Sequence, residues 1–252
     1  MVLRSSQAAL VLWTIVPYGM PAGRTSLNHS VSELIPVHVW SDIACPWCFI
    51  GKRRFEKGAA EYGGPVTVEY HSFELAPDTP LDFDGSEVEF LAQHKGMPIE
   101  QVRQMLDQMT ALAADEGLSY DFDALRHTKT LKAHQVLHLA KAEGIQLDVI
   151  ERLFRAYFEE GRHLGRDDEL VALAADAGLD TDKTRAVLAD DAYADAVQAD
   201  LAQARSYGIS GVPFYVIDNR YGVSGAQSPE TFASALRQAA DDRAGSTGGS
   251  RQ

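Results

Sequence analysis

Only two cysteines occur in the 252-residue chain, Cys45 and Cys48, and they share the run SDIACPWCFIGKRR. A β-prone segment, Val37-His38-Val39-Trp40, precedes the pair, and a segment with helical spacing, Phe49 to Tyr62, follows it. Two cysteines exclude a disulfide-stapled scaffold and a zinc site with four thiolates. Cysteines three apart in a first helical turn share a face and lie close enough to bridge. The first of them sits where backbone N–H groups lack partners, and those groups with the helix dipole stabilise a thiolate. Cys45 is thus the candidate nucleophile and Cys48, one turn deeper, the candidate resolving thiol. Pro46 suits a first turn, where a missing N–H costs nothing. Two other readings stay open on these residues alone. One is half of a zinc site completed by His38 or His71, and the other is a pair of buried, inert thiols.

The pattern around the pair predicts an α/β chain interrupted by helices. Val66 to Phe73 alternates as a second strand, so the opening is strand, helix, strand. From Ser86, which forms a capping-box pattern with Glu89, the chain is helical. Ile99 to Ala113 recurs at steps of three and four, and further helices are predicted over Leu131–Glu143, Asp148–Glu160, Asp167–Ala177, Thr181–Ala189 and Asp191–Tyr207. Asp148 with Glu151 resembles a second capping pattern. Strands return at Phe214–Ile217 and Tyr221–Gly225, and Ser228-Pro229 opens a final helix. The expected division is a flexible extension over 1–35, an α/β domain over 36–85 plus 207–241, a helical insertion over 86–206 and a disordered tail over 242–252.

Charge narrows the partners. Acidic side chains number 36 against 23 basic ones, a formal net charge of −13. Such a chain repels phosphate backbones, so nucleic acid is not an expected partner. The apolar stretch from Ala8 to Val16 is too short to span a bilayer. It follows a single Arg4 and precedes no A-x-A cleavage site, so we read it as part of the extension. Export is the alternative, if residues 1–23 act as a signal peptide.

Other candidates are weaker. Val212-Pro213, ahead of a strand, is compatible with a cis or a trans bond. A cis-proline facing Cys45 would leave the Val212 backbone open to a substrate strand. Trp47, Phe73 and Phe214 suit either an apolar groove or the core. His71 and Glu74 are candidates to move a proton to Cys48, with a solvated pair the plainer reading. Lys52, Arg53 and Arg54 suit either an anion near Cys45 or a solvated helix face. His134 and His138 lack a third ligand, and no metal site is expected.

Four segments carry a resemblance: SDIACPWCFIGKRRFEK at 41–57, FELAPD at 73–78, ERLFRAYFEEGRHLG at 151–165 and GISGVPFYVIDNRYGVSGAQ at 208–227. Together they resemble the DsbA-like thioredoxin-fold proteins of the FrnE group over about residues 36 to 241. The resemblance implies a thioredoxin fold with a helical insertion, a redox-active Cys45–Cys48 disulfide, a cis-proline at Pro213 and a cytoplasmic setting. It implies no bound cofactor, with protein thiols, glutathione or another small thiol as co-substrate. Trp47, Val212 and Glu74 become candidate substrate-binding residues.

Two departures stand out. Trp47 occupies the place where periplasmic relatives usually carry His, so strong oxidising power is not expected to carry over. Lys129 stands where the group often has Asn. The same superfamily holds glutathione-dependent 2-hydroxychromene-2-carboxylate isomerases and kappa-class glutathione transferases, which typically replace the first Cys by Ser. Having both thiols favours thiol–disulfide exchange over isomerisation, with a peptide-binding or chaperone module as a third reading.

Overall fold

The computed structural model describes residues 11–12 and 34–248. Its sheet begins with β1 (Val11–Leu12) and β2 (Ile35–Ser41), the latter alternating Val37 and Val39 towards one face with His38 and Trp40 towards the other. Helix α1 (Pro46–Tyr62) and β3 (Val66–Ser72) complete the first unit, with β3 parallel to β2. Seven helices follow: α2 (Glu87–Lys95), α3 (Ile99–Asp115), α4 (Leu131–Ala142), α5 (Gln146–Phe158), α6 (Asp167–Asp176), α7 (Thr181–Ala189) and α8 (Ala194–Ser206). The chain returns through β4 (Phe214–Ile217) and β5 (Tyr221–Ser224) to α9 (Pro229–Gly248). The strand order is β1-β5-β4-β2-β3, with β4 antiparallel to both β2 and β5. This is the expected thioredoxin fold with a helical insertion. No helix among the described residues is long and apolar enough to cross a membrane.

Helices α1 and α9 pack together on the sheet face formed by Val37, Val39 and Ile217. Their approach depends on Gly58, where a Cβ would stand 2.5 Å from the Pro229 carbonyl oxygen and 2.7 Å from Phe232 Cβ. The insertion has no core of its own. One continuous buried cluster runs from the sheet through α1 into α4, α5 and α6. Phe49 of α1 forms the joint: it is fully buried and stacks on Phe154 at 5.0 Å and on Tyr120 at 6.2 Å. The opposite sheet face is covered by α8 through a smaller cluster of Trp40, Ala204, Ile209 and Val216.

Several boundaries differ from the sequence reading, each for a tertiary reason. Helix α1 is not among them: it starts at Pro46, in the first turn where the sequence reading put that residue, and Cys45 is its N-cap. Helix α5 starts at Gln146, ahead of the expected Asp148 cap. The Gln146 amide is engaged with edge strand β3, accepting from Tyr70 N at 2.9 Å and donating to Tyr70 O at 2.9 Å. Helix α8 starts at Ala194, because Asp191 adopts a φ of 48° and Gln135 binds both its carboxylate and the Tyr193 N–H. The segment expected to be a tail from 242 is helical to Gly248. Arg243 fastens it, its guanidinium donating to Asp218 and to the Leu34 carbonyl. The capping box at Ser86 and Glu89 is present as expected. Strand β2 starts at Ile35, and most of the expected 1–35 extension lies outside the described residues.

Candidate active site

Strand β2 delivers the chain to a turn at Asp42–Ala44, and Cys45 then caps α1 with extended backbone (φ −91°, ψ 112°). No side chain caps the helix, so Cys45 stands at the positive end of the helix dipole with no competing cap. Cys48 follows one turn in, its N–H donating to Cys45 O at 3.0 Å. Both thiols are buried, at 3% and 1% exposure, while Trp47 between them is 39% exposed. Burial pushes the Cys48 thiol well above its ordinary range, and the neighbouring Cys45 sulfur adds to the effect. The Ser41 hydroxyl and the Asp42 backbone pull the other way and are outweighed.

Strand β4 places the second half of the site. The Val212–Pro213 bond is cis, and Cys45 Sγ faces Val212 O at 3.6 Å. Tyr120 closes the other side by donating from its hydroxyl to Pro46 O at 2.7 Å. Burial and the two cysteine sulfurs push the Tyr120 phenol far above its ordinary range, so it stays a donor.

Asp42 fixes the turn that carries Cys45. It is 2% exposed and accepts from Ala44 N at 3.2 Å and from Leu75 N at 2.8 Å. Burial alone would push its carboxyl up. The His134 ring, 3.5 Å away, and the two backbone N–H groups outweigh burial and hold it below the ordinary carboxylate value.

A cavity of about 230 Å³ opens beside Cys45. Its walls include Trp47, Thr79, Phe90, Met105 and His127, so the sheet domain supplies one side and the insertion the other. Within it His127 Nδ1 lies 2.8 Å from Glu87 Oε2, and Phe90 stacks on the His127 ring at 3.3 Å. The arrangement offers an addressable sulfur, a backbone carbonyl beside it, and an apolar pocket with one buried acid–imidazole pair.

The remaining sequence candidates have other placements. His71 is buried and bonded to Asp200 and His38 on the sheet face away from α1, so it is neither solvated nor placed beside Cys48. Nor do His38 and His71 cluster with the cysteines. Glu74 lies near Asp42, half-buried, with burial raising its carboxyl. Phe73 and Phe214 pack against the Trp40 cluster rather than lining the cavity. The three basic residues are committed to ion pairs: Lys52 and Arg53 with Glu56 and Glu151, and Arg54 with Glu116 at 2.6 Å. His134 approaches Asp42, while His138 meets Ser72 Oγ at 3.1 Å. Sequence reasoning missed Ser41, Asp42, Tyr120 and the Glu87–His127 pair. Ser41 and Asp42 adjoin the motif and end its strand, which was the one available signal.

Comparison with known proteins agrees with this geometry. A profile of the DSBA-like thioredoxin domain matches residues 36–237. The solved structure of the probable DsbA oxidoreductase SCO1869 from Streptomyces coelicolor is similar at 45% identity and a TM-score of 0.77, covering 81% of this chain and 89% of its own. The uncharacterized protein YwbO of Bacillus subtilis (strain 168) is 28% identical over 207 residues, 80% of this chain and 96% of its own length. A 2-hydroxychromene-2-carboxylate isomerase structure shares the fold at 18% identity and a TM-score of 0.60, covering 83% of this chain and 98% of its own. A helix-capping cysteine pair opposite a cis-proline, on a sheet interrupted by helices, thus accompanies a match over most of the chain: the protein belongs to the DSBA-like thioredoxin domain family.

Proposed function

We propose that this protein is a thiol–disulfide oxidoreductase in which Cys45 and Cys48 cycle between dithiol and disulfide. The observation that carries the reading is the asymmetry of the pair. Cys45 caps a helix beside the Val212 carbonyl and the cavity, whereas Cys48 is enclosed and its thiol is held protonated. In the oxidised form a substrate thiolate attacks Cys45 Sγ, and the Cys45–Cys48 bond breaks. Cys48 leaves as a thiolate and takes up a proton, and Cys45 is left in a mixed disulfide. A second substrate thiol then attacks the substrate sulfur, releasing substrate disulfide and Cys45 thiolate. In reverse, Cys45 thiolate attacks a substrate disulfide and Cys48, once deprotonated, resolves the adduct. Substrate backbone pairs with Val212, and its side chains enter the cavity by Trp47.

The substrates are protein thiols or a small thiol such as glutathione, and no bound cofactor is needed because the electron pair resides in the two sulfurs. The isomerase-like neighbour shares the fold, but a glutathione-activating site has no use for a resolving thiol. The test is equilibration of the purified protein with glutathione redox buffers, followed by alkylation and mass counting of thiols. A two-thiol transition linking Cys45 and Cys48 is expected. Absence of an intramolecular disulfide across the whole range would overturn the reading and favour isomerisation or binding.

A further inference from the structure

Three side chains converge on the sheet face covered by α8, away from the redox turn. Register produces this: His38 stands opposite Glu69 and Trp40 opposite His71, so all four project from one face of β2 and β3. His38 Nδ1 lies 2.9 Å from His71 Nε2, and His71 Nε2 lies 3.3 Å from Glu69 Oε1. The three ligand atoms all fall within 4.8 Å of one another, and neither cysteine belongs to the group.

His71 is held from behind. Its Nδ1 meets Asp200 Oδ1 at 2.9 Å, and its ring stacks on Trp40 at 4.5 Å. The Asp200 carboxylate is fixed in turn by the Ser72 N–H at 2.7 Å and by His138 Nε2 at 3.2 Å, while Trp40 Nε1 donates to Asp200 O at 3.2 Å. A carboxylate accepts, so the proton of a neutral His71 sits on Nδ1 and the Nε2 lone pair faces His38 and Glu69. Metal-binding histidines are oriented by such a carboxylate.

We propose that His38, Glu69 and His71 bind one Zn²⁺ ion, with a fourth position open to solvent. Two imidazoles and a carboxylate form a zinc donor set. Tetrahedral ligands about 2.0–2.1 Å from zinc stand roughly 3.3 Å from each other. The His71–Glu69 pair already has that separation; His38 must withdraw from His71 by about half an ångström and settle at the same separation from Glu69, whose ligand oxygen lies within 4.8 Å of it. His38 and Glu69 are half-buried, which leaves a path for entry. Binding requires two local changes. The His38 proton moves from Nδ1 to Nε2, and Lys141, 2.5 Å from Glu69 Oε1, gives up that oxygen.

The test uses the full chain with Cys45→Ser and Cys48→Ser, so that the dithiol cannot bind the metal. Zn²⁺ is titrated by equilibrium dialysis, and Co²⁺ by its visible absorption. One equivalent is expected, with no thiolate-to-cobalt charge-transfer band. His38→Ala weakens binding at least tenfold, Asp200→Asn weakens it about 10- to 100-fold, and Lys141→Met tightens it by removing the competitor for Glu69. Circular dichroism checks the fold, and Glu69→Gln replaces any variant that does not fold. No stoichiometric binding at 100 µM metal, or binding unchanged in both His38→Ala and Lys141→Met, overturns the proposal.

Discussion

Replacing Asp42 by Asn alters one atom at the base of the turn that carries Cys45, and the structure sets the size of the effect. The carboxylate takes two backbone N–H groups, Ala44 N on Oδ1 and Leu75 N on Oδ2. An amide keeps one acceptor oxygen, so one buried N–H loses its partner at about 1–3 kcal/mol. We expect a loss of about 2 kcal/mol at pH 7, or roughly 0.7 M in urea midpoint for a slope near 3 kcal/mol/M. Asp42→Ala strands both donors and costs about twice as much.

The pH dependence gives a second handle. The folded carboxyl sits below its ordinary value, so its stabilisation is complete above the unfolded value of about 3.9. It is lost as pH falls through the lower, folded value. Asn does not titrate, so the gap between wild type and Asp42→Asn is full above about pH 4 and narrows as pH falls below it. Urea unfolding followed by circular dichroism at several pH values between 3 and 7 reads both effects. A variant as stable as wild type at pH 7, or a gap that stays constant into acid, would refute the role given to Asp42.

Three other outcomes are expected. Cys48→Ser accumulates a mixed disulfide on Cys45 when mixed with oxidised substrate, whereas Cys45→Ser forms none; intact mass spectrometry distinguishes them. Phe49→Ala removes the stack between α1 and the insertion and costs about 3–5 kcal/mol, with near-ultraviolet and far-ultraviolet signals lost together in one transition, whereas two separate transitions would contradict a shared core. Gly58→Ala forces a Cβ against the Pro229 carbonyl and Phe232 and costs about 1–3 kcal/mol, read as a lowered thermal midpoint; an unchanged midpoint would mean that the α1–α9 contact yields easily.

The parts of the site that are local in sequence were legible, and those joined by folding were not. Cys45 at a helix start follows from its flanking strand, Pro46 and the spacing to Cys48. Val212 beside Cys45 is a contact across most of the chain; the Val-Pro pair before a strand raised it with cis and trans both open, and the resemblance implied the cis form. Lys52, Arg53 and Arg54 look like a basic helix face in one dimension, but Glu151 and Glu116, which neutralise them, come from the insertion. The Asp148 pattern misled because Gln146 starts its helix two residues earlier, its amide held by the edge of β3. The tail looked disordered from its glycines and serines, yet Arg243 reaches Asp218 and Leu34, which no periodicity reports.

The insertion leaves the sheet at Ser72 and returns at Phe214, and both points flank the last residues of β2, where Ser41 pairs with Ser72 and Trp40 with Phe214. The helical roof over the sulfur therefore has both its joints at the turn that carries Cys45. Because this roof shares its core with α1, and Tyr120 within it bonds Pro46 O, a change in the roof is felt at the Cys45 turn as well as in the cavity. Access to Cys45 and the position of its sulfur are therefore set together, at the short turn that the two ends embrace.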